Sequence, residues 1–194
     1  PVYVLSSGGG FSIFIIKIAK LMDIKCGVIE PNFYPGRGST IMKSYSTIFC
    51  SNKNLQNYFG KHFDFSNNPI RNNIQNNFKN NSNKTILILS GTNGIYDLNK
   101  YIYENMNKLL DSGFKIIWQR GILSKYEVPK LDNLITFKYD NNIEKYLNEA
   151  DLVISAAGAN TVNELVYLEK PFLLFPCKQT FANHQIKNSI FLNK

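Results

Sequence analysis

The chain has 194 residues, 44% hydrophobic and 19% charged, which suits one globular domain or two shortened ones and leaves no room for two complete nucleotide-binding lobes. Lys and Arg number 22 against 14 acidic residues, a formal charge of +8 that favours anionic partners such as phosphates or lipid headgroups. The lysines are scattered without an aromatic-interleaved basic stripe, which argues against nucleic acid as a partner, and no apolar run approaches the roughly 20 residues that span a bilayer.

The chain opens on PVYVL, a strand pattern, then the glycine turn SSGGG, the helical pattern FSIFIIKIAKLM and a second strand, KCGVIE. The opening Pro1 comes without a leader, so a partial chain is expected. These first elements look like the tail of an earlier lobe. Residues 67–84, NNPIRNNIQNNFKNNSNK, are half Asn; such a stretch buries too little apolar surface to order itself and is expected to be a linker. From Lys84 short apolar runs alternate with helical patterns: TILILS, YDLNKYIYENMNKLLDSG, FKIIW, LITF, IEKYLNEA, DLVIS, TVNELVYLEK and PFLLF. This is the βαβ rhythm of a parallel sheet covered by helices, and the continuous apolarity of DLVIS and FLLF fits strands buried on both faces. Gly113 stands where a left-handed residue is expected after the first long helix. Cys26, Cys50 and Cys177 are odd in number and far apart, with no CxxC spacing for zinc or redox work, which fits a reducing cytoplasm.

Several places carry candidate chemistry. Ser90-Gly91-Thr92-Asn93-Gly94 joins a predicted strand to a predicted helix, where glycines admit a ligand close to the backbone and helix-start N–H groups attract phosphate; a plain tight turn is the equal alternative. Ser6 to Gly10 poses the same choice, and there the turn is favoured. Ala156 to Glu164 forms a second strand-to-helix junction. Glu164 could accept from both hydroxyls of a ribose, but Thr161 and Glu164 have capping-box spacing, and the local pattern alone prefers the cap. Asn183-His184-Gln185 with Asn188 opens the last predicted helix with side chains suited to sugar hydroxyls. Arg71, after Asn68 and Pro69, could reach a diphosphate bidentately.

Taken in order, the Gly-rich turn, EPN, PG, NPIR, second Gly-rich turn, AGANTVNE and HQxxN resemble the MurG family, the bacterial transferases that complete the lipid-linked disaccharide of peptidoglycan. The resemblance covers nearly the whole chain, and its last two motifs are the most specific. It implies an α/β protein of two Rossmann-like lobes of the GT-B glycosyltransferase type, the N-terminal lobe incomplete: residues 1–70 from the acceptor-binding lobe, 71–83 an Asn-rich linker, and 84–194 the donor-binding lobe without its last helices. It implies donor contacts from Asn32, Arg71, Thr92 (where the family has a serine for the diphosphate), the backbone of Asp140 at the uracil, Ala159, Asn160, Thr161, Val162, Asn163, Glu164 at the ribose and Gln185 at the N-acetylglucosamine hydroxyls. Gly8, Gly9 and Gly10 fall on the acceptor side. The chain departs from the family pattern at Ile29, Asn67 and Ser90.

The implied reaction is inverting transfer of N-acetylglucosamine from UDP-N-acetylglucosamine to a lipid-diphosphate-linked muramyl-peptide acceptor. The implied setting is cytoplasmic, with peripheral contact to the anionic inner face of the membrane. No Asp-x-Asp string occurs, in keeping with a site that uses neither metal nor cofactor. The family's usual general base lies in a loop expected upstream of Pro1, so the catalytic base has no owner here, and the chain alone is expected to bind UDP without turnover. The alternatives are a donor-binding subunit of a split transferase, against which the EPN segment speaks, and a UDP-sugar hydrolase on the same scaffold.

Overall fold

The computed structural model describes residues 1–74, 84–178 and 183–192, and the chain divides into two compact units, Pro1–Pro69 with Thr180–Lys194, and Ile70–Gln179. In the first unit β1 (Tyr3–Ser6), β2 (Lys25–Ile29), β3 (Thr47–Cys50) and β4 (Phe63–Phe65) form one sheet in that order, every pair parallel. The crossovers carry α1 (Gly10–Leu21), α2 (Arg37–Met42) and the short α3 (Gln56–Phe59). Val28, Met42, Ile48, Leu55 and Phe59 build its core, to which α1 contributes Ile16 and Ala19. One stripe of a helix faces one core, and α1 has more apolar residues than that stripe holds. Phe11, Phe14, Ile15, Ile18 and Leu21 therefore face outward.

The second unit is a five-stranded sheet in the order β7-β6-β5-β8-β9, comprising β5 (Thr85–Leu89), β6 (Lys115–Gln119), β7 (Leu134–Phe137), β8 (Leu152–Ala156) and β9 (Phe172–Phe175). All four pairings are parallel, as the βαβ rhythm requires. Alternate residues serve opposite faces. Leu87 and Leu89 join Ile117, Val153 and Leu165 in one core, while Ile86 and Ile88 join Ile116, Trp118 and Leu98 in the other. Helices α6 (Glu144–Glu149) and α7 (Ala159–Leu168) supply the first layer, and α4 (Tyr96–Glu104) and α5 (Met106–Asp111) the second.

Three details depart from the sequence reading. The long pattern YDLNKYIYENMNKLLD is two helices, split at Asn105 (φ −109°, ψ 14°); the Asn105 carboxamide donates to the Tyr101 carbonyl at 2.9 Å, the local competition by which Asn interrupts helices. Gly113 does take the left-handed conformation just after α5 (φ 77°). Part of the Asn-rich stretch is packed: Ile74 is buried in the core of Leu87 and Leu89, with Ile70 against it, because two isoleucines four residues apart present one apolar edge despite the asparagines between them. The remainder of that stretch, 75–83, lies outside the described residues. Finally, α8 (His184–Leu192) groups with the first unit, although the sequence reading runs the donor lobe to 194.

Candidate functional site

In a doubly wound sheet the crevice lies at the carboxyl ends of the strands where the order reverses. Here that point is the pair β5 and β8, in register from Ile86↔Leu152 to Leu89↔Ser155, so the turn after β5 and the turn after β8 emerge side by side. A Cβ on Gly91 would lie 3.9 Å from that of Ala156. The first turn is built with Gly91 (φ 80°) and Gly94 (φ 87°), and Thr92 is exposed on it. The helices that follow, α4 behind Ile95 and α7 behind Gly158, have no side-chain cap. Their first N–H groups are thus available to an anion, reinforced by the helix dipoles. The structure brings Thr92 and Ala159 to Asn163 together at this one edge.

Glu164 is buried (5% exposed). Its Oε1 is 3.5 Å from Nε of Arg71, whose side chain is half exposed. Burial raises the Glu164 carboxyl above its ordinary range, the Arg71 guanidinium pulls it back, and the nearby carboxylate of Glu144 raises it further. The capping-box reading fails. Helix α7 begins at Ala159 with Gly158 as its N-cap, so Glu164 lies beyond the first turn, where the backbone N–H groups are already paired and no orphan donor remains for it. A buried carboxylate held by one exposed arginine can exchange that partner for a ligand hydroxyl. Glu144, on α6, was not singled out from sequence, because helical spacing gives no sign that it approaches Glu164.

Asp140 follows β7. Its carboxyl is held down to about 2 by the Lys145 ammonium, then the Asn142 N–H and the Tyr146 hydroxyl, at 2.8, 2.9 and 3.0 Å. Tyr146 stacks on Phe137 at 4.7 Å between centroids. The Asp140 side chain therefore fixes the loop that leads into α6.

The first unit assembles a second constellation. Gly8 (φ 89°) and Gly9 (φ 92°) turn the chain from β1 into α1, where Gly9 is an N-cap without a side-chain bond and Gly10 is exposed. Gly38 of α2 sits close against Gly9, for a Cβ there would be 3.4 Å from Gly9 N. Asn32 lies in the loop after β2, and that loop is organised by Glu30, 2% exposed. One oxygen of Glu30 accepts from Asn32 N (3.0 Å) and Asn32 Nδ2 (2.8 Å), and the other from Gly36 N (2.8 Å). Asn188 of α8 then accepts from Phe33 N at 3.1 Å and donates to Asn32 Oδ1 at 3.2 Å, which puts Gln185, three residues earlier on α8, near the Asn32 loop. Sequence reasoning named Asn32 but missed Glu30 as its organiser; the signal was a carboxylate immediately before a Pro-Asn turn.

Replacing Glu30 with Gln turns an NH2 toward backbone N–H groups in a buried place. We expect a loss of about 1–3 kcal/mol, the cost of an unsatisfied buried donor. Chemical denaturation of the variant checks this, and unchanged stability would show that the loop is held by other bonds.

Two parallel α/β units, the second with a doubly wound strand order and cap-free glycine turns at its switch point, match the GT-B fold of solved glycosyltransferases. Residues 85–194 match the glycosyltransferase family 28 C-terminal domain, and the chain belongs to that family. It is 30% identical over 205 residues to the UDP-N-acetylglucosamine--N-acetylmuramyl-(pentapeptide) pyrophosphoryl-undecaprenol N-acetylglucosamine transferase of Flavobacterium psychrophilum, covering 97% of this chain and 56% of the relative. It is 31% identical to the protein of that description from Thermosipho africanus, covering 100% and 57%. Among solved structures, Acinetobacter baumannii MurG superposes with a TM-score of 0.72 at 21% identity, over 99% of this chain and 57% of that one. The chain thus spans little more than half the length of the curated relatives it matches.

Proposed function

We propose that this chain is part of an inverting glycosyltransferase that moves N-acetylglucosamine from UDP-N-acetylglucosamine onto a lipid-diphosphate-linked muramyl-peptide acceptor in peptidoglycan synthesis. The observation that carries the reading is the convergence, at the switch point of the second sheet, of two cap-free glycine turns with a buried carboxylate. In this reading the diphosphate rests on the N–H groups around Thr92 and at the start of α7, with Arg71 beside it. Glu164 accepts from the ribose hydroxyls, and the backbone at Asp140 meets the uracil. An acceptor hydroxyl attacks the anomeric carbon, the carbon–oxygen bond to the diphosphate breaks, and the configuration inverts. Charge developing on the departing UDP meets donors that are already aimed, so little reorganisation opposes the step.

The acceptor side belongs to Gly8, Gly9 and Gly10, with Arg37 and Lys187 at a cavity of about 700 Å3 in the first unit supplying positive charge for an anionic acceptor. No helix among the described residues is long and apolar enough to cross a membrane. Peripheral contact with an anionic inner membrane face fits α1, whose outward Phe14, Ile18 and Leu21 lie among Lys17 and Lys20, the pairing of apolar and basic residues that interfacial helices use.

Metal independence is part of the proposal, because the helix starts and Arg71 supply the charge that a cation would otherwise provide. Calorimetry with UDP tests both points. Saturable binding unchanged by EDTA is expected; binding that collapses with EDTA and returns with magnesium or manganese would overturn the metal-free reading, and absent binding would overturn the donor site itself.

A further inference from the structure

The loop after β6, residues 120–126, closes a cavity of about 440 Å3 in the second unit, walled by Tyr96, Asn99, Leu123, Ser124, Lys125 and Tyr126. Gly94, the last residue of the turn after β5, also lines it, so the cavity backs onto the proposed diphosphate turn, while its other wall residues lie outside the donor constellation. The volume falls within the range of small-molecule sites, about 300–1,000 Å3. The loop is firmly placed, because Ile122 N donates to Thr92 O at 2.8 Å and Leu123 N to Asn93 O at 3.2 Å, while the Arg120 guanidinium donates to the Tyr126 carbonyl.

The wall combines three kinds of recognition. Ser124 is nine-tenths buried, yet its hydroxyl has no hydrogen-bond partner among the described residues, and Arg120 Nε beneath the same loop has none either. Asn99, by contrast, is mostly engaged: its carbonyl accepts from Ser90 Oγ (2.7 Å) and Trp118 Nε1 (3.2 Å), and its amide donates to Arg120 O (2.7 Å). The buried polar group of the wall left without a partner among the described residues is Ser124. Tyr126 lies between Tyr96 and Tyr103, with centroids 6.5 and 4.9 Å away and planes tilted by 34° and 36°. Tyr96 is 68% and Leu123 71% exposed, so flat and apolar surface stands open. The charge of the wall comes from Lys125, and none of its described residues is acidic. Glu104 acts electrostatically on Tyr126 but is paired at 3.9 Å with Lys100, which directs a guest's negative charge toward the Lys125 end.

We propose that this cavity, which backs onto the turn after β5 at Gly94, is a second small-molecule site for a planar ring compound bearing an anionic group: the ring packs against Tyr96, Tyr126 and Leu123, Ser124 hydrogen-bonds to the guest, and Lys125 pairs with the anion. Buried hydroxyls are normally satisfied, and aromatic walls with one or two convergent polar groups are the usual composition of a ligand pocket.

The test uses the full chain and benzoate as the probe, followed by backbone amide NMR, with benzyl alcohol as the neutral counterpart. Saturable shifts centred on Ser124, Lys125 and Tyr126 are expected. Ser124→Ala and Tyr96→Ala should each weaken benzoate about 3- to 10-fold, the usual worth of one neutral contact. Lys125→Gln should weaken benzoate and leave benzyl alcohol unchanged. These side chains carry little core packing, so the melting temperature serves only as a control. Glu164→Gln should not affect benzoate, which separates failure of this site from failure of the nucleotide site. The proposal is overturned by absence of saturable binding, by binding indifferent to all three wall substitutions, or by shifts centred on Gly91 to Asn93 and Gly158 to Thr161 that vanish in Glu164→Gln.

Discussion

Gly121→Ala is expected to cost about 3–5 kcal/mol and to abolish UDP binding, the largest effect of any single methyl group added to this chain. Gly121 (φ 85°) follows β6, and Gly94 (φ 87°) ends the turn after β5. The two are packed backbone on backbone. A Cβ on Gly121 would overlap the N and Cα of Gly94 and lie 2.5 Å from Asn93 C, and one on Gly94 would overlap the Arg120 carbonyl oxygen. None of these obstacles is a flexible side chain that can swing away. The substitution therefore combines the roughly 1–2 kcal/mol of a left-handed residue with a Cβ with the separation of two turns, one of which is the proposed diphosphate cradle. Against a usual domain stability of about 5–15 kcal/mol this is severe. Gly113→Ala is the internal control, because Gly113 has the same kind of backbone (φ 77°) with nothing within 4 Å of an added Cβ. It should cost only the conformational part, about 1 kcal/mol. Urea denaturation of both variants decides the matter: equal losses would mean that close approach of the turns contributes nothing.

The second large effect concerns Glu164. Hydrogen bonds to charged groups contribute about 1.5–3 kcal/mol, so Glu164→Gln should weaken UDP about 10- to 100-fold. Calorimetry at matched salt measures this, and parental affinity in the variant would remove Glu164 from the donor site. The melting temperature at neutral pH should not fall, because no cap is lost and a buried charge is removed. The pH dependence has a definite sign. Burial raises the Glu164 carboxyl in the folded chain above its ordinary value of 4.5, with Arg71 opposing and Glu144 adding to the rise. The folded state then holds the proton more tightly than the unfolded one, so stability from this group is complete below about pH 4.5 and is lost as the pH rises through the raised value. The Gln variant should lack that component. A parent and variant with parallel stability-versus-pH curves between pH 4 and 7 would contradict this account of the site.

Much of the architecture was legible in the sequence for a simple reason: apolar runs bounded by glycine turns leave a chain few ways to bury itself other than a parallel sheet between helices. TILIL and DLVIS became β5 and β8, and the strand-to-helix turns at Ser90 to Gly94 and at Gly158 fell at their carboxyl ends. The order of short motifs was equally legible, since it is a property of the linear chain. Local spacing failed where two readings shared one pattern. Thr161 and Glu164 keep capping-box spacing wherever the helix begins, and only the fold sets its start at Ala159. Asn105 likewise sits in a sequence that is helical on both sides, and the break depends on its carboxamide taking the Tyr101 carbonyl.

By itself, then, the sequence determined the fold class, the glycine turns and the identity of the residues proposed for a nucleotide sugar, because these follow from periodicity, backbone freedom and chemical type along the chain. Tertiary structure alone decided which of those residues meet. It paired Arg71 with Glu164, separated by 93 positions, and gave Asn32 to Asn188 across 156. It also placed Glu30 under its loop and Glu144 near Glu164, as burial and proximity depend on how elements distant in the chain pack, and no local pattern encodes that distance.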